Sequence, residues 1–241
     1  MKKIILFAGF ISFAAGVLAQ DNPTPAKKEK IDLSNRANDH FMIQLGYAGW
    51  SGKPDSINRG GISKSFNFYF MLDFPFKTNP HISVAFGPGL ATDNPRFKET
   101  YIGIKENTSI LRFVNQSDTN HFKKTKLAIA YLEAPIEFRF TKNPLDNSKS
   151  FKWALGVKVG TMINAHTRNK ELQDKNDNTI QDYTLKESSK KFFNSNRLSF
   201  MARVGFGHLS VYGSYQVTSL FKDGVAAPVK PFSVGLTLSG L

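Results

Sequence analysis

Apolar and polar residues alternate along eight stretches of the chain, and the alternation is clearest between Ser65 and Pro75. The even-numbered residues from Phe66 to Phe74 are all apolar, whereas Ser65, Asn67 and Asp73 are polar. A period of two places alternate side chains on opposite faces of a β-strand. The pattern therefore predicts a strand with one apolar face and one polar face.

The same pattern predicts eight strands, joined by connections that are alternately short and long. The predicted strands are His40–Trp50, Lys64–Phe76, His81–Leu90, Lys126–Thr141, Phe151–Thr167, Arg197–Gly207, His208–Ser219 and Pro231–Leu241. The long connections are Ser51–Ser63, Ala91–Thr125, Arg168–Asn196 and Leu220–Lys230. An even number of strands returns the chain to the end from which it started, so all short turns are expected at one end and all long loops at the other.

The apolar face of the predicted strands carries no charge, and the polar face carries charges of both signs. The charged residues on the polar face that we expect to form an ion-paired network are Glu133, Glu137, Arg139, Lys152, Lys158 and Arg203. Isolated charges in a narrow interior are very costly to desolvate, so opposite charges on one face favour pairing.

A secretory leader precedes the strands. Lys2 and Lys3 form a basic start, Ile4 to Leu18 is apolar, and Ala19 ends a small-residue cleavage signal, which predicts a mature chain that begins at Gln20. Residues 20–39 are polar and rich in Lys, Asp, Asn and Pro, which predicts a flexible periplasmic lead-in. No stretch reaches the 18 to 20 or so continuous apolar residues of a membrane-spanning helix.

Together these patterns predict an all-β protein. The prediction is a signal peptide over 1–19, a lead-in over 20–39, and over 40–241 a single antiparallel transmembrane β-barrel in the outer membrane of a Gram-negative bacterium. It has about eight strands, short periplasmic turns and long extracellular loops, with its apolar face toward lipid. The alternative is a soluble periplasmic β-barrel or sandwich, in which the apolar face would point inward. The uncharged, aromatic-rich band, in a chain with 22 Phe, and the asymmetry of the loops favour the membrane barrel.

Composition restricts the partners of the chain. The net charge is +13, of which Lys2 and Lys3 lie in the leader, leaving +11 for the mature chain. The basic residues are spread along the chain, which disfavours nucleic-acid binding, and we expect attraction to outer-membrane lipid and lipopolysaccharide instead. The chain contains no Cys, which excludes disulfides, zinc–thiolate sites and a lipidated N-terminal Cys.

The fourth predicted strand carries a family resemblance. Tyr131-Leu132-Glu133-Ala134-Pro135 resembles the Tyr-Leu-Glu-x-Pro strand of the PorT-type outer-membrane β-barrel family of the Bacteroidota, and Phe151 to Gly160 resembles the next strand of that family. The resemblance implies a barrel of the OmpA/OmpX size class. The founding member of the family is linked to type IX secretion and gliding, and no motif in this chain transfers that role.

The sequence shows no catalytic or metal-binding motif. Five His residues are scattered without metal-ligand spacing, and no nucleophile elbow is present, so we expect a non-enzymatic protein without cofactors or metals. Two hypotheses follow. The first is a barrel with a side-chain-filled lumen that serves envelope architecture or acts as an accessory subunit of an outer-membrane machine, including type IX secretion. The second is a narrow transport pore or a conduit for a lipid ligand.

The second long loop contains a predicted hairpin. Two apolar segments, Tyr101–Lys105 and Ile110–Val114, flank a polar turn. Exposed apolar hairpins can pair with another chain, so we expect Tyr101, Ile104, Ile110 and Phe113 to form a contact surface for outer-membrane or periplasmic proteins. The alternative is that both segments only extend the wall of the barrel.

Overall fold

The computed structural model describes residues 40–54, 57, 58 and 60–240, and the predicted leader and lead-in lie outside these residues. The described chain is built from fourteen β-strands and one short 3-10 helix. The strands are β1 (Phe41–Ser51), β2 (Lys64–Phe70), β3 (Leu72–Pro75), β4 (Ile82–Phe86), β5 (Gly89–Asn94), β6 (Arg96–Phe97), β7 (Thr100–Ile102), β8 (Phe113–Asn115), β9 (His121–Thr141), β10 (Phe151–Gln173), β11 (Thr179–Ser188), β12 (Asn196–Phe206), β13 (Leu209–Gln216) and β14 (Lys230–Ser239). The 3-10 helix is Asn147–Lys149.

Eight of these strands close into an antiparallel ring. The order is β1-β2-β5-β9-β10-β12-β13-β14, and β14 pairs again with β1. β3 and β4 continue β2 and β5 toward the short-turn end, where β4 also pairs with β9. The predicted eight-stranded barrel is therefore confirmed. No helix among the described residues has the length and apolarity needed to cross a bilayer.

The two faces of the wall match the alternation in the sequence. Large apolar side chains such as Leu45, Leu155 and Phe200 are more than half exposed on the outer face, whereas Gln44 and Glu137 are fully buried inside. Aromatic pairs lie on the outer face near the short-turn end, with Phe74 and Phe86 stacked at 5.3 Å, and Phe140 and Trp153 stacked at 5.7 Å. Such a belt is typical of the boundary between an apolar band and water.

Two prolines in the wall, Pro88 and Pro135, lie at the same interruption of the strand pairing. β9 pairs with β4 up to Ile136 and with β5 from Glu133 onward, so Ala134 and Pro135 face the break at Gly87 and Pro88. Proline lacks the backbone N–H that a ladder needs. Because both prolines occupy the same interruption of the ladder, the barrel accommodates them at one point. A side chain at Gly87 would meet the carbonyl oxygen of Phe70 at 1.8 Å, so only Gly fits there.

Strand ends at the short-turn side were predicted well, and those at the long-loop side were not. β12 and β13 are joined by Gly207 and His208 alone, with Gly207 at a φ of +58°. In contrast, β9 begins five residues before the predicted Lys126, and β10 runs six residues past the predicted Thr167. The prediction of residues 168–196 as a loop was wrong in its first two thirds, since β11 pairs there with the extension of β10. These segments lie beyond the apolar band and therefore lack the alternation that marks a strand.

Candidate functional site

The half of the barrel interior nearer the short turns holds an ion cluster centred on Glu137. This carboxylate lies on β9 and accepts hydrogen bonds from Arg139 Nε at 2.6 Å and Arg203 Nη2 at 3.0 Å. Arg139 also lies 3.6 Å from Asp73, which accepts a hydrogen bond from Ser83 at 2.7 Å. Because Glu137 is fully buried, the two guanidinium groups replace the water that it loses on folding.

The half of the interior nearer the long loops holds a second ion cluster centred on Glu133. Arg197 on β12 pairs with Glu133 through its Nε and with Asp93 through its Nη1 at 2.8 Å. Tyr69 donates a hydrogen bond to the other oxygen of Glu133 at 2.7 Å, and Lys158 donates to the Tyr69 hydroxyl at 3.4 Å. This second cluster links five strands, β2, β5, β9, β10 and β12, across the lumen.

All six residues of the predicted ion network lie on the inner face and are buried. The structure brings Glu137 together with Arg139 and Arg203, and Glu133 together with Lys158 through Tyr69. Lys152 lies opposite Thr141 of β9, and Glu137 lies opposite Gly156 of β10. Lys152 is therefore four residues along the strand pair from Glu137.

Two members of the second cluster were not predicted from the sequence: Arg197, which pairs with Glu133, and Asp93, the second partner of Arg197. Arg197 is the first residue of a predicted strand, and Asp93 lies in a segment that was predicted as loop. The only indication in the sequence was that a buried acid such as Glu133 needs a base on a neighbouring strand.

An apolar cap covers the lumen at the long-loop end. Its members are buried side chains from the upper wall and from all four long connections, including Trp50, Ile57, Phe97, Ile102, Ile104, Leu111, Phe192, Phe193, Leu220, Phe221 and Val229. The Trp50 ring contacts those of Phe97 and Phe221, with centroids 5.2 and 5.9 Å apart. The loops thus build a core of their own over the two ion clusters, which the sequence analysis did not predict.

The predicted contact hairpin forms, with shorter strands than expected. β7 pairs with β8, and the turn lies between them. Ile104 is buried in the cap, Phe113 packs against it, and Tyr101 is half-buried. Ile110 remains exposed, at 59%. Most of the hairpin's apolar surface is therefore used inside the chain.

A small cavity lies beside the second ion cluster. A cavity of about 10 Å³ is lined by Asn67, Asp93, Lys158 and Arg197, among others. That volume corresponds to a single water molecule at most.

Three side chains in the long-loop region could share a metal ion. Ligand atoms of Glu99, His121 and Asp177 lie within 4.8 Å of one another. The Nε2 of His121 is 3.1 Å from Asp177, and its Nδ1 is 3.1 Å from the carbonyl of Thr119. His121 is already held by Asp177 and Thr119, and Glu99 pairs with Lys98 at 2.7 Å, so each of the three side chains has a partner within the protein.

The sequence matches a family model described as "Outer membrane protein beta-barrel domain" over residues 19–222. This match spans most of the chain. The chain belongs to this outer-membrane β-barrel family. The finer assignment to the PorT-type proteins of the Bacteroidota stays a prediction.

Matches among solved structures include two of Ail, the attachment invasion locus protein of Yersinia pestis. The chain is 16% identical to Ail in complex with the heparin analogue sucrose octasulfate, with a TM-score of 0.37, and 15% identical to Ail alone, with a TM-score of 0.32. Both matches cover 84% of this chain and 97% of Ail. No curated protein matches the chain.

Membership of the family assigns the two faces of the wall. In an outer-membrane barrel the apolar outer face contacts lipid, the short turns lie in the periplasm and the long loops lie outside the cell. The ion clusters therefore occupy the lumen within the membrane, and the apolar cap lies at its extracellular mouth.

Proposed function

We propose that the chain is a non-enzymatic, non-conducting outer-membrane barrel. In this proposal it serves envelope architecture or acts as an accessory subunit of an outer-membrane machine, with type IX secretion among the candidate machines. Its extracellular strands and loops are the contact surface. The observation that carries the proposal is the double closure of the lumen, first by the buried ion clusters of Glu133 and Glu137 and then by the apolar cap.

The competing hypothesis is a narrow transport pore or a conduit for a lipid ligand. A ring of eight strands has an interior just wide enough for side chains to fill. Passage of an ion would require the clusters around Glu133 and Glu137 and the cap around Trp50 to open together. Separating buried ion pairs leaves uncompensated charges, which is strongly unfavourable. These contacts support the closed barrel over the pore.

We expect no stable channel current from the refolded chain in a planar bilayer, because both layers block the lumen. The measurement is single-channel recording over a range of voltages. Heat-modifiable migration of the same preparation in SDS gels checks that the barrel is folded. The absence of current can then be attributed to a closed lumen. Long-lived open states of defined conductance would contradict the proposal and favour the transport hypothesis.

A further inference from the structure

A row of four cations crosses the outer wall beyond the apolar band. The pairing register sets Arg96 on β6 opposite Lys126 on β9, Lys126 opposite Arg168 on β10, and Arg168 opposite Lys186 on β11. We call these four residues the cationic row. Neighbouring strands lie about 4.8 Å apart, and like charges directly opposite each other destabilise a sheet. The fold therefore holds three unfavourable pairs side by side.

The outer face changes from apolar to cationic in one step. Along β9 the outward positions from Phe138 to Ala128 are all apolar, and the next outward position is Lys126. Arg96, Arg168 and Lys186 are exposed, and Lys126 is half-buried. The row thus lies at the border between the lipid-facing band and the extracellular strands, which is the level of the lipid headgroups.

The row borders a concave site. A pocket of about 500 Å³ is lined by eleven residues, of which seven are Lys or Arg and none is acidic. Its far wall is the backbone at Gly60 and Gly61, which is held against β6 because the N–H of Gly60 donates to the carbonyl of Arg96 at 3.0 Å. The positive charge is therefore gathered around a space that a ligand can enter.

Within the part of the chain that the structure describes, the row has no counter-charge of its own. Two other cations of the pocket are paired, Lys98 with Glu99 and Lys123 with Glu171, each at 2.7 Å. Among the described residues, no carboxylate lies within 4.0 Å of the four members of the row.

We propose that the cationic row and its pocket bind the phosphate groups of an outer-leaflet glycolipid headgroup. The inference rests on the placement of the barrel in the outer membrane with its long loops outside the cell, and it holds whether or not the lumen conducts. Arg and Lys are the side chains that pair with phosphate through charge-assisted hydrogen bonds. A lipid phosphate at this border would compensate the row while the acyl chains lie on the apolar wall directly below it. The chemistry recognised is a phosphate monoester, and its position at the apolar border selects the lipid over a free phosphate.

The test is binding of diphosphoryl lipid A to the full chain refolded in maltoside micelles, measured by microscale thermophoresis. The variant Lys126→Gln/Arg168→Gln should bind about 25-fold more weakly, since each cation near such a headgroup contributes a factor of about five. The matched control is Lys64→Gln/Lys222→Gln, which removes two exposed cations from the same half of the barrel and should have a far smaller effect. Heat-modifiable migration checks that both variants fold.

Two results would overturn the proposal. Equal weakening in both double variants would mean that binding reflects diffuse charge and not this site. If inorganic phosphate bound to the row as tightly as lipid A, the assignment to a lipid would fall. Neither result would change the outcome of the bilayer recording, and a conducting barrel could still bind lipid A. The proposal of a closed barrel and the proposal of a lipid site are therefore tested independently.

Discussion

The substitution Glu137→Ala is expected to lower the free energy of unfolding of the barrel by about 3 to 5 kcal/mol, because it leaves buried guanidinium groups without their shared partner. Glu137 is fully buried and bonded to both Arg139 and Arg203. The measurement is urea unfolding of the refolded chain in lipid vesicles, followed by the loss of heat-modifiable migration. As a control, Asp182→Ala removes an exposed acid on β11 and should change stability by less than about 0.5 kcal/mol.

A double-mutant cycle separates the ion pair from general disruption of the interior. Once Arg203→Ala has removed one base, Glu137→Ala should cost less than it does in the wild type, so the double variant should lose less than the sum of the single losses. Simple additivity of the two losses would mean that Glu137 and Arg203 are not energetically coupled and that the cluster does not hold the lumen together.

The second large effect concerns the lipid-facing wall. Phe70 points outward near the middle of the apolar series from Phe66 to Phe76, and its ring stacks on His40 at 5.5 Å. The substitution Phe70→Arg should cost about 2 to 4 kcal/mol of barrel stability, because it places a charge near the bilayer midplane. The same unfolding assay in vesicles measures it.

The matched control for this position is Phe70→Leu, which keeps the site apolar. It should cost much less than Phe70→Arg, since only ring packing is lost. If vesicles tolerated Arg as well as Leu, the outer face at Phe70 would not contact lipid.

The barrel wall could be predicted from the sequence because lipid and lumen impose opposite demands on adjacent residues. From Phe66 to Phe74 every second side chain is apolar, which separates the two faces of the strand, and the uncharged band together with the loop asymmetry indicates that the apolar face points outward. The same demand is absent beyond the membrane. The β11 segment, TIQDYTLKES, is polar on both faces, so its pairing with β10 depends on backbone hydrogen bonds that leave no pattern in the sequence.

The interior could be predicted in composition and not in detail. Alternation placed Glu133 and Glu137 inside together with several bases, but the partner of each acid depends on the register between strands that are distant in sequence. Glu133 and Arg197 are 64 residues apart, and they meet because both lie opposite Gly160 once β9 and β12 have paired with β10. The cap was missed for a similar reason, because Trp50 comes from the end of β1 while Phe193 and Phe221 come from different loops, and the three show no common periodicity.

The central claim of a lipid-facing apolar wall around a filled interior can be tested with the two native tryptophans, since the chain has only Trp50 and Trp153. Trp153 is on the outer face beside Phe140, whereas Trp50 is buried in the cap at 6% exposure. Each is isolated by changing the other to Phe, and its fluorescence is recorded in vesicles of brominated phospholipid. The structure predicts strong quenching of Trp153 and little quenching of Trp50. Equal quenching of both, or quenching of Trp50 alone, would contradict the barrel described here.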